Sequence, residues 1–344
     1  MSTEQFRYEA TAPSNIAFVK YWGKKDEALQ WPANSSLSMS LDNLHTKTAV
    51  MIIEAKDHIV RLNEKPVSRD MPEGKKIYAQ LDYLSKAFNF TKKLSITTQN
   101  SFPTGCGIAS SASGIAALTL SCLAAWMDAE TIEDLSAKGF SREKLADLSR
   151  MGSGSAGRSL WGGYVTWDHG KASPDEQSIR QTFAHEHWQL CDSVVIFSAA
   201  SKSVSSTKGH RLAWTSPLFE PRLALIQERI KAVTQAVERK ALDQLGPLLE
   251  AEALDMHAVM MSANEPVFYF DKQVGSFLAW LRHLRLETGI PAYFTMDAGP
   301  NVHIIHKPEH KEQLLQHIQT SFPDLRVLSD TVGKGPTLQR TLVS

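Results

Sequence analysis

The chain has 344 residues, long for a single core and ample for two domains. Hydrophobic residues make up 42% and charged residues 22%, a globular composition that excludes a fibrous or disordered chain. Lys plus Arg number 37 and Asp plus Glu number 37, so the formal net charge is zero and the basic excess of a nucleic-acid binder is absent. An anionic ligand must therefore be caught by local positive charge and backbone donors.

In chain order, residues 12–25 read as an apolar strand ending in a cationic, aromatic knot at Tyr21, Trp22, Gly23 and Lys24. Lys20, among Ile16, Phe18 and Val19, is costly without a partner, and by alternation it points the same way as Ile16 and Phe18. Strands are predicted at 39–54 and 58–62. Ile77, Leu81, Leu84 and Phe88 predict a helix over 75–90. A strand at 94–98, an Ala-rich helix at 110–127, a short helix at 142–150 and a strand at 163–167 follow. Residues 169–181 read as an exposed excursion, 190–197 as a buried strand and 204–209 as a hydroxyl-rich loop.

Leu223, Ile226, Ile230, Val233 and Val237 mark an amphipathic helix. Further helices are expected at 241–261, interrupted near Gly246 and Pro247, and at 272–288. The chain closes with strands at 292–296 and 302–306, a helix at 308–320 and a strand at 325–328. That order indicates an α+β architecture rather than a doubly wound sheet, with domains at 1–185 and 186–344.

The first ten residues contain no apolar h-region, and no run approaches the ~20 apolar residues of a bilayer span, so no secretory signal or membrane anchor is expected. Cys106, Cys122 and Cys191 show no ligand spacing or disulfide framework, and a cytoplasmic setting is the expectation. His185 and His187 flank Glu186, which reads as a solvated loop rather than a zinc site.

The segment 100–114 lies between a strand and a helix. Gly105 and Gly107 let the backbone approach a ligand, and the helix beginning near Ser110 presents unpaired N–H groups to an anion. Ser110, Ser111 and Ser113 add hydroxyls suited to phosphate or Mg²⁺. No GxxxxGK[ST] pattern is present, so this is a phosphate loop of another kind. Residues 152–157 match GxGxxG, but a helix rather than a strand precedes them, which defeats a dinucleotide reading. What remains there is a small-residue loop with Ser153, Ser155 and Arg158, whose planar fork suits a carboxylate or phosphate or else a surface position. Asp297, in a turn between two strands, reads equally as a turn cap or a functional acid.

Taken together these segments resemble the diphosphomevalonate decarboxylase family of the GHMP kinase superfamily. The resemblance rests on 12–17 with Lys20–Lys24, 34–36, 102–112, 152–159, 205–207, 296–301 and 332–336, in family order along the chain. It implies a two-domain α+β fold, with an N-terminal ribosomal protein S5 domain 2-like unit and a C-terminal ferredoxin-like α/β sandwich, and the active site in the cleft between them. It also implies ATP- and Mg²⁺-dependent decarboxylation of mevalonate 5-diphosphate to isopentenyl diphosphate, through phosphorylation of the C3 hydroxyl, in the mevalonate pathway of isoprenoid biosynthesis. Carried over by position, Asp297 serves the C3 hydroxyl, Lys20 neutralises charge beside it, and Arg158 holds the substrate. Tyr21, Trp22, Gly23, Lys24, Lys76 (or Lys75), Ser153, Gly154, Ser155, Ala156, Gly157, Ser206 and Thr207 are implied to line the substrate pocket. Pro103, Gly105, Gly107, Ala109, Ser110, Ser111 and Ser113 are implied at the ATP phosphates, with Ser111 on the metal. Cys106 and Gly157 depart from the family's usual alanine and cysteine, and the basic helix residue is lysine where arginine is typical.

The alternatives are a mevalonate 5-phosphate decarboxylase, a mevalonate 3-kinase, or a nucleotide-binding protein without catalysis. A homodimer is the oligomeric state the resemblance implies.

Overall fold

The computed structural model describes residues 4–102, 110–170, 172–197, 204–269 and 271–343. The first half of the chain forms β1 (Gln5–Val19), β2 (Lys24–Asp26), β3 (Trp31–Pro32), β4 (Ser36–Ile53), β5 (Ile59–Leu62), β6 (Lys65–Val67), α1 (Pro72–Phe88) and β7 (Lys93–Asn100). It continues through α2 (Ser110–Met127), α3 (Ile132–Ala137), α4 (Arg142–Gly152), β8 (Tyr164–Asp168) and β9 (Ser178–Phe183). The second half comprises β10 (Cys191–Ile196), α5 (Ser206–Ala213), α6 (Phe219–Glu238), α7 (Leu242–Met261), α8 (Lys272–Thr288), β11 (Tyr293–Thr295), β12 (Val302–His306), α9 (Lys311–Ser321), β13 (Arg326–Thr331) and β14 (Thr337–Val343).

Strands β14-β1-β4-β7-β5-β6 form one sheet in that order, with β8 on β4 and β9 on β8. Its inner face meets α2, whose Ala-rich sequence lets the helix lie close. Ala116, Ala117, Leu120, Leu123 and Ala124 are all buried in the first core with Val50, Leu94 and Ile96. By length and composition α2 could cross a bilayer, but 72% of it is buried inside this protein, where it serves as a core helix.

The second sheet has the order β11-β12-β10-β13 and is antiparallel throughout. Its chain order, one strand, helices, two strands, a helix and a last strand, is the ferredoxin-like arrangement expected. One face packs on α8 and α9 through Phe277, Leu281, Leu314 and Ile318. The other shares a core with the first sheet, where Ile16, Phe18, Leu37 and Met39 meet Val194, Ile305 and residues of α6 and α7.

Four local expectations change. The excursion at 169–181 ends in β9, which pairs antiparallel with β8. Residues 204–209 are a helix start rather than a loop, because the Ser205 hydroxyl accepts from the Lys208 N–H and caps α5. α7 continues through Pro247 instead of breaking there. Its packing compensates for the lost hydrogen bond, with Leu245 and Leu249 fully buried on either side. β14 returns from the C-terminus to pair with β1, from Gln5↔Val343 to Thr11↔Thr337.

Candidate active site

The end of β1 meets the 152–158 segment, the start of α5 and the turn after β11 around a cavity of about 270 Å³. Lys20, Tyr21, Trp22, Lys24, Lys76, Ser153, Gly154, Ser155, Arg158, Ser206, Thr207 and Asp297 all line it. Residues drawn from across the whole sequence thus converge on one space. Gly23, Ala156 and Gly157 stand behind this surface. Gly23 has φ +81°, and a Cβ there would strike the Phe219 ring, so the turn that presents Trp22 and Lys24 needs glycine. Ala156 is buried in the first core, and Gly157 packs against Ile179 and the Ala146 carbonyl.

Lys20 does not share the direction of Ile16 and Phe18, as strict alternation predicted. β1 loses its register with β4 between Ala17 and Val19 and ends at Val19, so Lys20 turns to the cavity beside Asn15 and Ala17. Ile16 and Phe18 go to the shared core instead. The Lys20 ammonium, with its side chain 2% exposed, donates to Asp297 Oδ1 at 2.9 Å and to the Ala17 carbonyl at 2.7 Å. The Asp297 side chain is 26% exposed, so the carboxylate faces the cavity while its cation is sealed behind it.

Lys20 is gripped along its backbone by a buried ionic cluster. Glu252 of α7 accepts from the Lys20 N–H at 3.0 Å and pairs with Arg222 of α6 and, at 2.5 Å, with Arg229. Asn34 donates to the Lys20 carbonyl at 2.9 Å and Arg222 approaches the same oxygen. A charge this deep is tolerable only when paired and hydrogen-bonded, as Glu252 is.

Arg158 is buried, not a surface arginine. Nη1 donates to Ser36 Oγ at 2.6 Å, while Nε and Nη2 both approach Asn15 Oδ1 at 3.3 Å. Asn15 in turn donates to Ser159 Oγ at 2.9 Å, which fixes the amide. Burial pulls the guanidinium pKa down to about 10, against the opposing influence of Asp297 and Tyr21, so it stays cationic at neutral pH.

Lys24 and Lys76 have pKa values lowered chiefly by burial. The Tyr21 phenol is pushed up by burial, and its ring lies 4.5 Å from that of His210. A Cβ on Gly154 would sit 2.6 Å from the Tyr21 ring, so the small residue admits that side chain.

A second cavity of about 310 Å³ lies at the N-terminus of α2, lined by Ser110, Ser111, Gly114, Ile115, Thr46, Leu62 and Pro72 among others. Lys76 and Ser111 border both cavities. Ser111 Oγ also accepts from Ser153 Oγ at 3.4 Å. Ser113 turns inward to Thr46 Oγ1 at 2.7 Å and lines neither cavity. Pro103, Gly105, Gly107 and Ala109 lie outside the described residues. His185 pairs with Glu186 and His187 meets the Val237 carbonyl, and no group of three metal-ligating side chains occurs among the described residues.

Sequence reasoning missed Asn15, Glu252, Arg222 and His210. None stands in a glycine- or serine-rich motif, and mid-helix charges such as Glu252 resemble a solvated face.

The diphosphomevalonate decarboxylase-like N-terminal domain model matches residues 12–180, and the mevalonate 5-diphosphate decarboxylase C-terminal domain model matches 193–341. The chain belongs to the diphosphomevalonate decarboxylase family. It is 31% identical to the diphosphomevalonate decarboxylase of Candida albicans, over 95% of this chain and 96% of that one. The solved complex of MDDEF with MVAPP, AMPPCP and magnesium superposes with a TM-score of 0.88 at 31% identity, covering 98% of this chain and 100% of that one. Mevalonate diphosphate decarboxylase from Staphylococcus aureus gives 0.86 at 32% identity, with 98% of each chain covered. The two-domain α+β fold is that of these enzymes.

Proposed function

We propose that this protein catalyses the ATP-dependent decarboxylation of mevalonate 5-diphosphate to isopentenyl diphosphate, releasing ADP, phosphate and CO₂. The observation that carries this reading is the Lys20–Asp297 pair at 2.9 Å in a cavity that also holds the Arg158 fork. Family membership and the similarity to a complex holding MVAPP, AMPPCP and magnesium support it.

Asp297 accepts the proton of the tertiary C3 hydroxyl as that oxygen attacks the γ-phosphorus of ATP. Lys20, on the far side of the carboxylate, balances its charge and holds its orientation. The resulting 3-phosphate leaves with its bonding electrons, and positive charge grows at C3. Electrons of the C1–C2 bond then form the C2–C3 double bond, and C1 departs as CO₂. Asp297 faces the cationic carbon, while Arg158, braced by Ser36 and Asn15, holds the substrate carboxylate until it is lost.

The nucleotide fits the second cavity, whose apolar wall suits a base and whose α2 end suits phosphates. Ser111 stands where the two cavities adjoin, the place for the transferring phosphoryl group, and Lys76 at the same junction serves the substrate's diphosphate. The Ser111 hydroxyl, at the junction of the two cavities, would help hold Mg²⁺ beside the nucleotide, where the ion would neutralise phosphate charge.

The active chain is a cytoplasmic homodimer, divided near residue 185 into two units, with β14 returned to the first. Initial rates with mevalonate 5-diphosphate and with mevalonate 5-phosphate test the substrate. Faster turnover of the monophosphate at equal concentration overturns the assignment.

A further inference from the structure

His210 belongs to no motif, yet it lines the first cavity on the same face of α5 as Ser206 and Thr207. Its ring is wedged between two aromatic neighbours, with centroids 4.5 Å from Tyr21 and 4.6 Å from Trp22. Nδ1 receives the Gly23 N–H at 3.0 Å. A backbone N–H can only donate, so Nδ1 is an acceptor and carries no proton. The ring is therefore neutral, with its single proton on Nε2. Protonating Nδ1 would break the Gly23 bond that closes the turn between Trp22 and Lys24.

The groups facing this ring reinforce that state. Burial first, and then Lys24 from β2 and Lys76 from α1, oppose a positive charge on it. Tyr21 and Trp22 contribute faces of rings, and Met256 of α7 is apolar. Arg211, the next residue on α5, is turned to Glu27 at 2.5 Å.

The cavity thus has two kinds of lining. Lys20, Asp297 and Arg158 form the part suited to the reacting carbon and carboxylate. Lys24, Lys76 and His210 form a cationic part with one neutral donor, suited to an ester-linked phosphate chain. Resting on the function proposed above, we infer that His210 is a specificity-determining residue whose Nε2–H donates to an oxygen of the substrate's 5-diphosphate. Because this donor is uncharged and its tautomer is locked, it adds direction to the pull of the two lysines.

His210→Met and His210→Gln test this. In the methionine variant KM for mevalonate 5-diphosphate rises about 10- to 100-fold, the range for a hydrogen bond to a charged group. The value of kcat changes by less than about twofold, since binding rather than the transition state loses a contact. KM for mevalonate 5-phosphate rises less, so the preference between the two narrows, and the glutamine variant recovers part of the loss through its amide N–H. The ¹⁵N imidazole spectrum of the ligand-free protein shows His210 protonated at Nε2 alone between about pH 6 and 8. An unchanged KM in the folded methionine variant, an equal rise for both substrates, or a protonated Nδ1 overturns the inference. Failure of the unaltered protein to turn over either substrate instead removes the function on which it rests, and the spectrum still decides the tautomer.

Discussion

Lys20 Nζ and Asp297 Oδ1 lie 2.9 Å apart although 277 residues separate them in the chain. Lys20 follows the last residue of β1 in the first sheet, and Asp297 lies in the turn after β11 in the second. Replacing Asp297 with Ala lowers CO₂ release by about 10³-fold or more, the scale of a lost acid/base and charge-stabilising group. Binding of mevalonate 5-diphosphate, measured calorimetrically, stays within severalfold of the unaltered protein. A loss of binding as large as the loss of rate makes Asp297 a structural turn residue.

Arg158→Lys keeps the charge but not the fork. The guanidinium spans Ser36 and Asn15 with three nitrogens, and an ammonium cannot meet both while facing the substrate. The expected fall in kcat/KM is about 100-fold or more. Steady-state kinetics at neutral pH checks it, and unchanged constants refute the role.

Glu252→Gln leaves Arg222 and Arg229 facing a neutral amide in a buried setting. Truncating a buried ionic partner costs about 3–5 kcal/mol, so the urea midpoint falls sharply. The glutamine amide oxygen can still accept the Lys20 N–H, so kcat of the folded fraction changes far less than the midpoint. A midpoint equal to that of the unaltered protein contradicts this account of the cluster.

Much of the architecture was readable from periodicity. Helices at 110–127 and 272–288 and the strand at 302–306 lie where spacing placed them, because each carries its own apolar pattern. β14 was not readable, since its partner is β1 at the other end of the chain and its exposed face gives little alternation. Lys20 announced itself as a costly buried charge, but its partner could be assigned only through family resemblance. Local sequence carries no trace of a contact across 277 residues. Arg158 reads as an even choice between surface and site for the same reason, because its hydrogen-bond partners Asn15 and Ser36 lie far off in sequence, on β1 and β4. His210 was invisible as a lone histidine. Only the Gly23 bond and the two flanking rings distinguish it.

Acid lability follows from His257, which is 1% exposed and whose pKa falls to about 3, mainly by burial and then by the charge of Lys20. The unfolded chain takes up a proton near pH 6.5, whereas the folded chain resists until about pH 3. Between those values the unfolded state binds more protons, so stability falls as pH falls. At about pH 5 this one group accounts for about 2 kcal/mol. Burial lowers His210, His58 and His306 as well, with the same sign. Urea melts at pH 7 and pH 5 check it, with His257→Asn flattening the decline. Equal slopes for the two proteins exclude His257 as the source.

The most direct test of the central claim uses mevalonate 5-diphosphate labelled with ¹³C at C1, incubated with ATP and Mg²⁺. Labelled CO₂, ADP, inorganic phosphate and isopentenyl diphosphate are expected in equal amounts, with all four lost in Asp297→Ala. ADP formed with the label retained in a 3-phosphorylated acid contradicts the claim, as does ATP binding with no ADP at all.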